Sequence, residues 1–265
     1  MKGSSSTTSS PRRVISLCPS ITETIHALGA WSSVVGRTRY CVRPVGLVDA
    51  IPEVGGTKRP NLERVVSLRP DLVLCNQEEN RREDAESLER AGLRVVSYFP
   101  RDLPGTAVYI EALGRDLGCG PAGTCLAEAL RGEIDRGGPS GPPVRYAYLI
   151  WRKPWMAVGT DTFISRLLAA AGFENAIVGG ERYPALSPEA LGDLDVEVVL
   201  LSSEPFPFAE RHRDELAAVV GCDRARVVLV DGQLLSWHGV RTINGLRYAR
   251  SLRAELGTER EAGGR

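Results

Sequence analysis

The sequence predicts an α/β fold of two similar lobes, each a parallel sheet flanked by helices, bridged by one long backbone helix with a ligand cleft between the lobes. Three observations predict it. Short apolar runs alternate with helical stretches along most of the chain, the pattern of βαβ units. One helical stretch, Pro121 to Arg136, separates two such series. The two series also echo each other: Gly29, Gly36 and Tyr40 recur at one common offset as Gly172, Gly179 and Tyr183, in the order helix, Gly, short strand, Gly, loop Tyr. The expected division is a disordered tail (1–11), a first lobe (12–117), the bridging helix (118–138), a second lobe (139–257) and a flexible tail (258–265).

Composition narrows the function classes. The 265 residues contain 43% hydrophobic side chains, enough for two cores. Lys plus Arg equals Asp plus Glu at 33 each, a balance that does not advertise nucleic-acid binding. Three His residues argue against a zinc enzyme built on several of them. The six Cys form no CxxC, and the usage fits a reducing compartment. Cys119 and Cys125 flank a helix start and are open either to pairing or to two free thiols. The opening MKGSSSTTSS lacks the apolar run of a secretory signal, and no later stretch reaches the ~18 apolar residues of a membrane span. As written, the chain is expected in the cytoplasm; an upstream start or another export route would place it outside.

In the first lobe, Arg13 to Leu17 is a short buried strand, with Cys18 and Pro19 beyond its carboxyl end, where open α/β sheets take ligands. Ser20 or Thr22 can cap the next helix, with Glu23 and Thr24 in its first turn and Gly29 ending it. His26 reads as a surface or satisfied His. Ser33 to Gly36 is another strand, leading to a loop with Tyr40. The turn-rich Pro52 to Pro60 carries Lys58, able to reach an anion, but not the glycine spacing of a phosphate loop. Asn61 can cap Leu62 to Leu68, with Glu63 early in that helix, and Leu72 to Cys75 is a strand. Glu78, Glu79 and Asn80 follow its carboxyl end; the two carboxylates either meet a cation or ligand amide, or cap the helix Arg81 to Ala91. Arg94 to Tyr98 closes the lobe, and Ala107 to Leu117 is helical.

Pro121 suits a first helical turn. Leu126, Leu130 and Ile134 form one stripe, and Glu133 can pair with Arg136. The stretch is either a spine between lobes or an ordinary crossover helix. Gly137 to Pro143 restarts the chain, and Arg145 to Ile150 is a strand. In WRKPWM, Trp151 and Trp155 flank Arg152 and Lys153: rings beside cations suit a large flat or anionic ligand, or else the rings clamp the core. Thr162 precedes a helix running to Ala171. Ser187-Pro188-Glu189 leads to the strand Val198 to Leu201 as Asn61-Leu62-Glu63 leads to Leu72. Phe208 to Val220 is helical, Arg226 to Val230 a strand, and Ile243 to Leu256 the last helix. Before it, Trp237, His238 and Arg241 lie in a Gly-flanked loop, where His238 is either a metal or ligand contact or a packed or capping His.

RVISLCPSITETIHALGA, VGGTKRPNLERVVSLRPDLVL, SPEALGDLDVEVVLLS and the closing SWHGVR resemble class III, helical-backbone substrate-binding proteins of ABC importers, nearest their cobalamin-binding branch. The resemblance spans about residues 12 to 257. It implies a monomeric protein without catalytic cofactor that holds a metal chelate: cobalamin or another corrinoid, haem, or a ferric siderophore. It also implies an ABC permease as partner, docked on Glu63 and Glu189, whose alternative role is at their own helix starts. The expected ligand contacts are Pro19, Tyr40, Lys58, Glu78, Glu79 and Asn80 in one lobe and Trp151, Arg152, Trp155, Tyr183, Trp237, His238 and Arg241 in the other. Tyr40 and His238 are candidate axial ligands of a haem. No GxSxG is present, so binding without covalent chemistry is expected. The rival is an enzyme or accessory protein of corrinoid metabolism using Glu78, Glu79 or His238 as acid or base.

Overall fold

A computed structural model describes residues 10–220 and 226–263. By contact clustering the chain divides into two units, Met1–Pro100 with Pro104–Ala129, and Arg101–Leu103 with Leu130–Arg265.

The first unit carries β1 (Val14–Ser16), α1 (Pro19–Ala27), β2 (Val34–Arg37), α2 (Leu62–Ser67), β3 (Leu72–Asn76), α3 (Arg82–Arg90) and β4 (Val95–Tyr98). Its sheet has the order β2-β1-β3-β4, and every pairing is parallel. The central strand β3, LVLCN, is buried at all positions, because helices cover both faces of such a sheet. Ile15, Val65, Val73 and Leu88 join in its core. The next two helices, α4 (Leu103–Asp116) and α5 (Gly120–Asp135), approach closely where Gly114 meets Gly123. A Cβ on Gly114 would stand 2.9 Å from the Gly123 Cα, so neither position accepts a side chain without a shift. The division between units falls inside α5.

The second unit continues with β5 (Val144–Trp151), β6 (Trp155–Ala157), α6 (Phe163–Ala170), β7 (Phe173–Asn175), β8 (Ala185–Leu186), α7 (Pro188–Gly192), β9 (Val198–Ser202), α8 (Glu210–Val220), β10 (Val227–Val230), α9 (Gly232–Ser236) and α10 (Arg241–Gly263). Strands β7, β5, β9 and β10 pair in parallel in that order, repeating the first sheet. Antiparallel β6 and β8 are added at the other end of the β5 edge that β7 occupies. No described helix is long and apolar enough to cross a membrane.

The repeat is real in topology but its register differs from the common offset. Gly29 and Gly172 are equivalent: each follows α1 or α6 with φ of 78° and 87°, a conformation that favours glycine. The offset then slips, because a 3₁₀ turn, Trp31–Ser33, precedes β2 whereas β7 follows Gly172 at once. Gly36 therefore lies within β2, while Gly179 lies in the turn after β7, and the two are not counterparts. The capped helices do match. Asn61 accepts from the Arg64 N–H at 2.9 Å, and Ser187 from the Ala190 N–H at 3.2 Å.

Several local expectations are corrected. The α1 N-cap is Cys18, without a side-chain cap bond; Ser20 and Thr22 lie inside the helix, and no acidic residue falls in its first turn. Arg81 is the α3 N-cap, again without a side-chain bond, so Glu78 and Glu79 do not cap it. Cys119 and Cys125 are free thiols; Cys222 lies outside the described residues. The helix α10 continues to Gly263, into the stretch expected as a tail. Most of the expected leading tail (1–9) and the last two residues lie outside the described residues. The buried face of α5 is Gly123, Ala127, Leu130 and Glu133, with Leu126 and Ile134 half-buried.

Glu133, 2% exposed, is the unexpected member of that face. Its carboxylate accepts from Arg247 Nε at 2.8 Å and Arg250 Nη1 at 3.0 Å, fastening α5 to α10. Burial alone would raise its pKa; hydrogen bonds from Arg247 and Arg250, and the charges of Arg247 and Arg136, override this and hold the carboxyl below its usual range. Glu133→Gln is expected to lower unfolding stability at pH 7 by about 1.5–3 kcal/mol, the scale of hydrogen bonds to charged groups. The lowered folded pKa means that the deficit is full above the unfolded value of about 4.3 and vanishes as pH falls through the folded value. Urea denaturation of both proteins across that range measures it, and equal stability at pH 7 contradicts the clamp.

Candidate functional site

In the first unit the carboxyl ends of β1 and β3 and the Thr57 turn are bound together by one side chain. Asn80 donates from Nδ2 to the carbonyls of Leu17 and Thr57, both at 2.9 Å, and its Oδ1 accepts from the Asn76 N–H at 2.8 Å. Asn76 Oδ1 in turn accepts from the N–H groups of Glu78 at 2.8 Å and Glu79 at 3.1 Å. Asn80 is buried, and both its side-chain groups are engaged within the protein, which corrects its expected role as a ligand contact. It is a tether that holds the 76–80 loop.

That tether brings expected residues together. Lys58 Nζ donates to the Glu78 carbonyl. Glu79 is half-buried; burial pushes its pKa up, Lys58 pulls it down and Glu78 adds to the rise. Pro19 is half-buried at the start of α1. Tyr40 lies over the Gly55-Gly56 turn, its Cε2 3.4 Å from where a Gly56 Cβ would stand, and is 56% exposed.

In the second unit the end of β5, the start of β6 and the loop after β9 carry an aromatic ladder. Trp151, at the end of β5, is 40% exposed and meets Phe206 edge-on at 5.7 Å. Phe206 meets Phe208 at 4.7 Å, and Phe208 stacks on Trp155 at 6.1 Å. Trp155 is core, 8% exposed, because β6 turns it inward. Its expected ligand contact is therefore corrected, and Trp151 keeps the outer position. Arg152 is paired with Glu215. Tyr183 is half-buried beside Arg182.

The closing segment also differs from expectation. Trp237 is buried and donates its Nε1–H to Glu204 at 2.5 Å, while Ser236 donates to the same oxygen at 3.2 Å. The Arg241 guanidinium lies 5.3 Å from the Trp237 ring. Burial raises the Glu204 pKa, which the Trp237 and Ser236 hydrogen bonds partly offset. His238 is 9% exposed and packs edge-on to Phe163 at 6.3 Å. Desolvation lowers its pKa to about 4, which favours the neutral imidazole. Glu204 and Phe206 were not foreseen. Their signal was position: they follow the apolar run of β9 as Trp151 follows β5.

Glu63 and Glu189 are both exposed in the first turns of their capped helices. The Glu189 carboxylate is held below its usual range by its own backbone N–H and the Ser187 hydroxyl. Among the described residues no group of three or more His, Cys, Asp or Glu is gathered as metal-ion ligands would be.

Two parallel sheets of one strand order, linked helices and loop-borne polar and aromatic side chains define a binding protein, and the chain belongs to the periplasmic binding protein family, whose model matches residues 14–219. Within it the class is the helical-backbone substrate-binding protein, a class of binding proteins. An uncharacterised ABC transporter substrate-binding lipoprotein of Bacillus subtilis, YvrC, is 27% identical over 89% of this chain and 78% of its own length. A vitamin B12-binding protein of Vibrio campbellii is 26% identical over 76% of this chain and 71% of its own length. Among solved structures, the periplasmic heme-binding protein RhuT from Roseiflexus sp. RS-1 superposes with a TM-score of 0.80 at 25% identity, covering 92% of this chain and 97% of that one. The vitamin B12-binding protein BtuF of Vibrio cholerae, at 21% identity, shares the fold with a TM-score of 0.80 over 93% of this chain and 98% of its own.

The burial of His238 yields a pH test. With an unfolded pKa of about 6.5 and a folded value of about 4, the folded state resists protonation. Stability is full above the unfolded pKa and falls as pH drops from there toward the folded value. NMR of the His238 ring is expected to show the neutral form persisting below pH 5, with a midpoint near 4. A midpoint at the solvent value would place the ring in water.

Proposed function

We propose that this protein binds a corrinoid, cobalamin or a relative, without chemical change, at carboxyl-end loops of its parallel strands, and hands it to an ABC permease. The observation that carries the reading is the exposed Trp151 ring, backed by Phe206 at the end of β5. A flat platform of this kind suits a broad macrocycle. The Lys58, Glu78 and Glu79 grouping supports it, since donors and acceptors mixed at one loop suit amide-edged ligands better than a purely anionic one. Relatives named for vitamin B12 binding point the same way. Glu63 and Glu189 are the proposed permease contacts: both are exposed and stand at matched places in the repeat.

Haem is the second reading. It is favoured by the exposed Tyr40, whose hydroxyl is of the kind that ligates haem iron, and by relatives named for haem binding. Of the two axial candidates, Tyr40 is the more exposed.

Calorimetric titration with cobalamin, cobinamide, haemin and a ferric siderophore decides between them. Corrinoid binding at micromolar or tighter Kd, weakened about tenfold by Trp151→Ala, is the expected result. Haemin binding with a visible spectrum altered by Tyr40→Phe, and no corrinoid binding, would overturn the assignment. Charge reversal at Glu63 and Glu189 is expected to leave chelate affinity unchanged while abolishing permease-dependent uptake; lowered affinity would contradict the docking role.

A further inference from the structure

The Glu133 cluster holds more cation than its carboxylate needs. Arg250 is committed throughout: Nη1 to the Glu133 carboxylate, Nη2 to the Glu133 carbonyl and Nε to the Gly137 carbonyl at 2.7 Å. Arg247 gives Nε and Nη2 to the carboxylate at 2.8 and 2.6 Å. Two guanidinium groups already serve both carboxylate oxygens. A third, Arg136, stands 3.4 Å away with its side chain 70% exposed, and that of Arg247 is 57% exposed. Three positive charges thus converge on one negative charge.

These side chains and the 137–139 turn line a cavity of ≈ 430 Å³. Its place before the amino end of β5 separates it from the carboxyl-end loops of the same unit. The turn leads into the amino end of β5, and a Cβ on Gly138 would stand 3.1 Å from the Ala170 carbonyl at the end of α6. Trp151 lies at the other end of the eight-residue β5, roughly 25 Å away by strand rise.

The geometry points to a second binding site here, for a phosphate group, with Arg136 and Arg247 as its ligands and the Glu133–Arg250 pair as a fixed floor. A guanidinium fork matches two oxygens of a phosphate, and a tetrahedral dianion neutralises the two charges that Glu133 leaves over. The pocket is open to solvent, so the group arrives either free or carried on a larger molecule such as a lipid.

The test is an NMR titration of the full chain with inorganic phosphate at low ionic strength, following the Gly137 and Gly138 amides. A parallel arm measures co-sedimentation with phosphatidylcholine vesicles with and without phosphatidic acid. Saturable shifts at those two amides, at least tenfold weaker in Arg136→Ala/Arg247→Ala and weakened by salt, are expected. Should the double variant unfold, Arg136→Ala alone keeps the test, since this side chain makes a single long contact with Glu133. Co-sedimentation that requires phosphatidic acid and is lost in the variant identifies a lipid source; phosphate binding without it identifies a soluble one. No saturable response in either arm, undiminished binding by the variants, or shifts spread over other surface arginines would overturn the proposal.

Discussion

Parallel pairing sends the four core strands of each unit in one direction, so their carboxyl ends emerge along one edge and the chain must turn there. Backbone polar groups at such turns cannot stay unpaired when buried. In the first unit Asn80 resolves this by joining the backbones of residues 17, 57 and 76. In the second, Glu204 receives Trp237 and Ser236, while the Phe206 N–H reaches the Ile150 carbonyl at 3.3 Å. Lys58, Glu78 and Glu79 on the first unit, and Trp151 and Phe206 on the second, sit on or beside backbone held by these internal bonds. The loops are thus built before any ligand arrives, which lowers the ordering cost of binding.

Much of the fold could be read from the sequence because its signals are local. Apolar runs such as LVLC and VVLL mark buried parallel strands, and Asn61 and Ser187 announce their helices by side-chain chemistry at fixed spacing. The antiparallel pair β6 and β8 escaped this reading, since β6 is a brief strand opening on the second of two tryptophans that together resemble a recognition motif. The direction in which Trp151 and Trp155 point depends on the turn between them, and residue type does not reveal it. His238 shows the same limit: a histidine after a tryptophan in a glycine-flanked loop looks reactive, yet α9 and α10 fold it against Phe163.

Long-range ionic pairing was the least readable feature. Glu133 was expected to meet Arg136 one turn on, and it does, but Arg247 and Arg250 lie 114 and 117 residues away and make the stronger contacts. No periodicity announces them. The repeat behaved in an intermediate way: the element order and the capped helices carried over between units, while the offset drawn from glycines and a tyrosine slipped at the 3₁₀ turn before β2.

The account rests on prebuilt carboxyl-end loops as the contact surface in both units. Amide hydrogen exchange of the protein with and without its tightest-binding chelate tests this most directly. The account predicts added protection in 76–80 and around Tyr40 in the first unit, and around Trp151 and 203–208 in the second, with the remaining strands and helices unchanged. Protection appearing at the amino ends of the strands instead would contradict it.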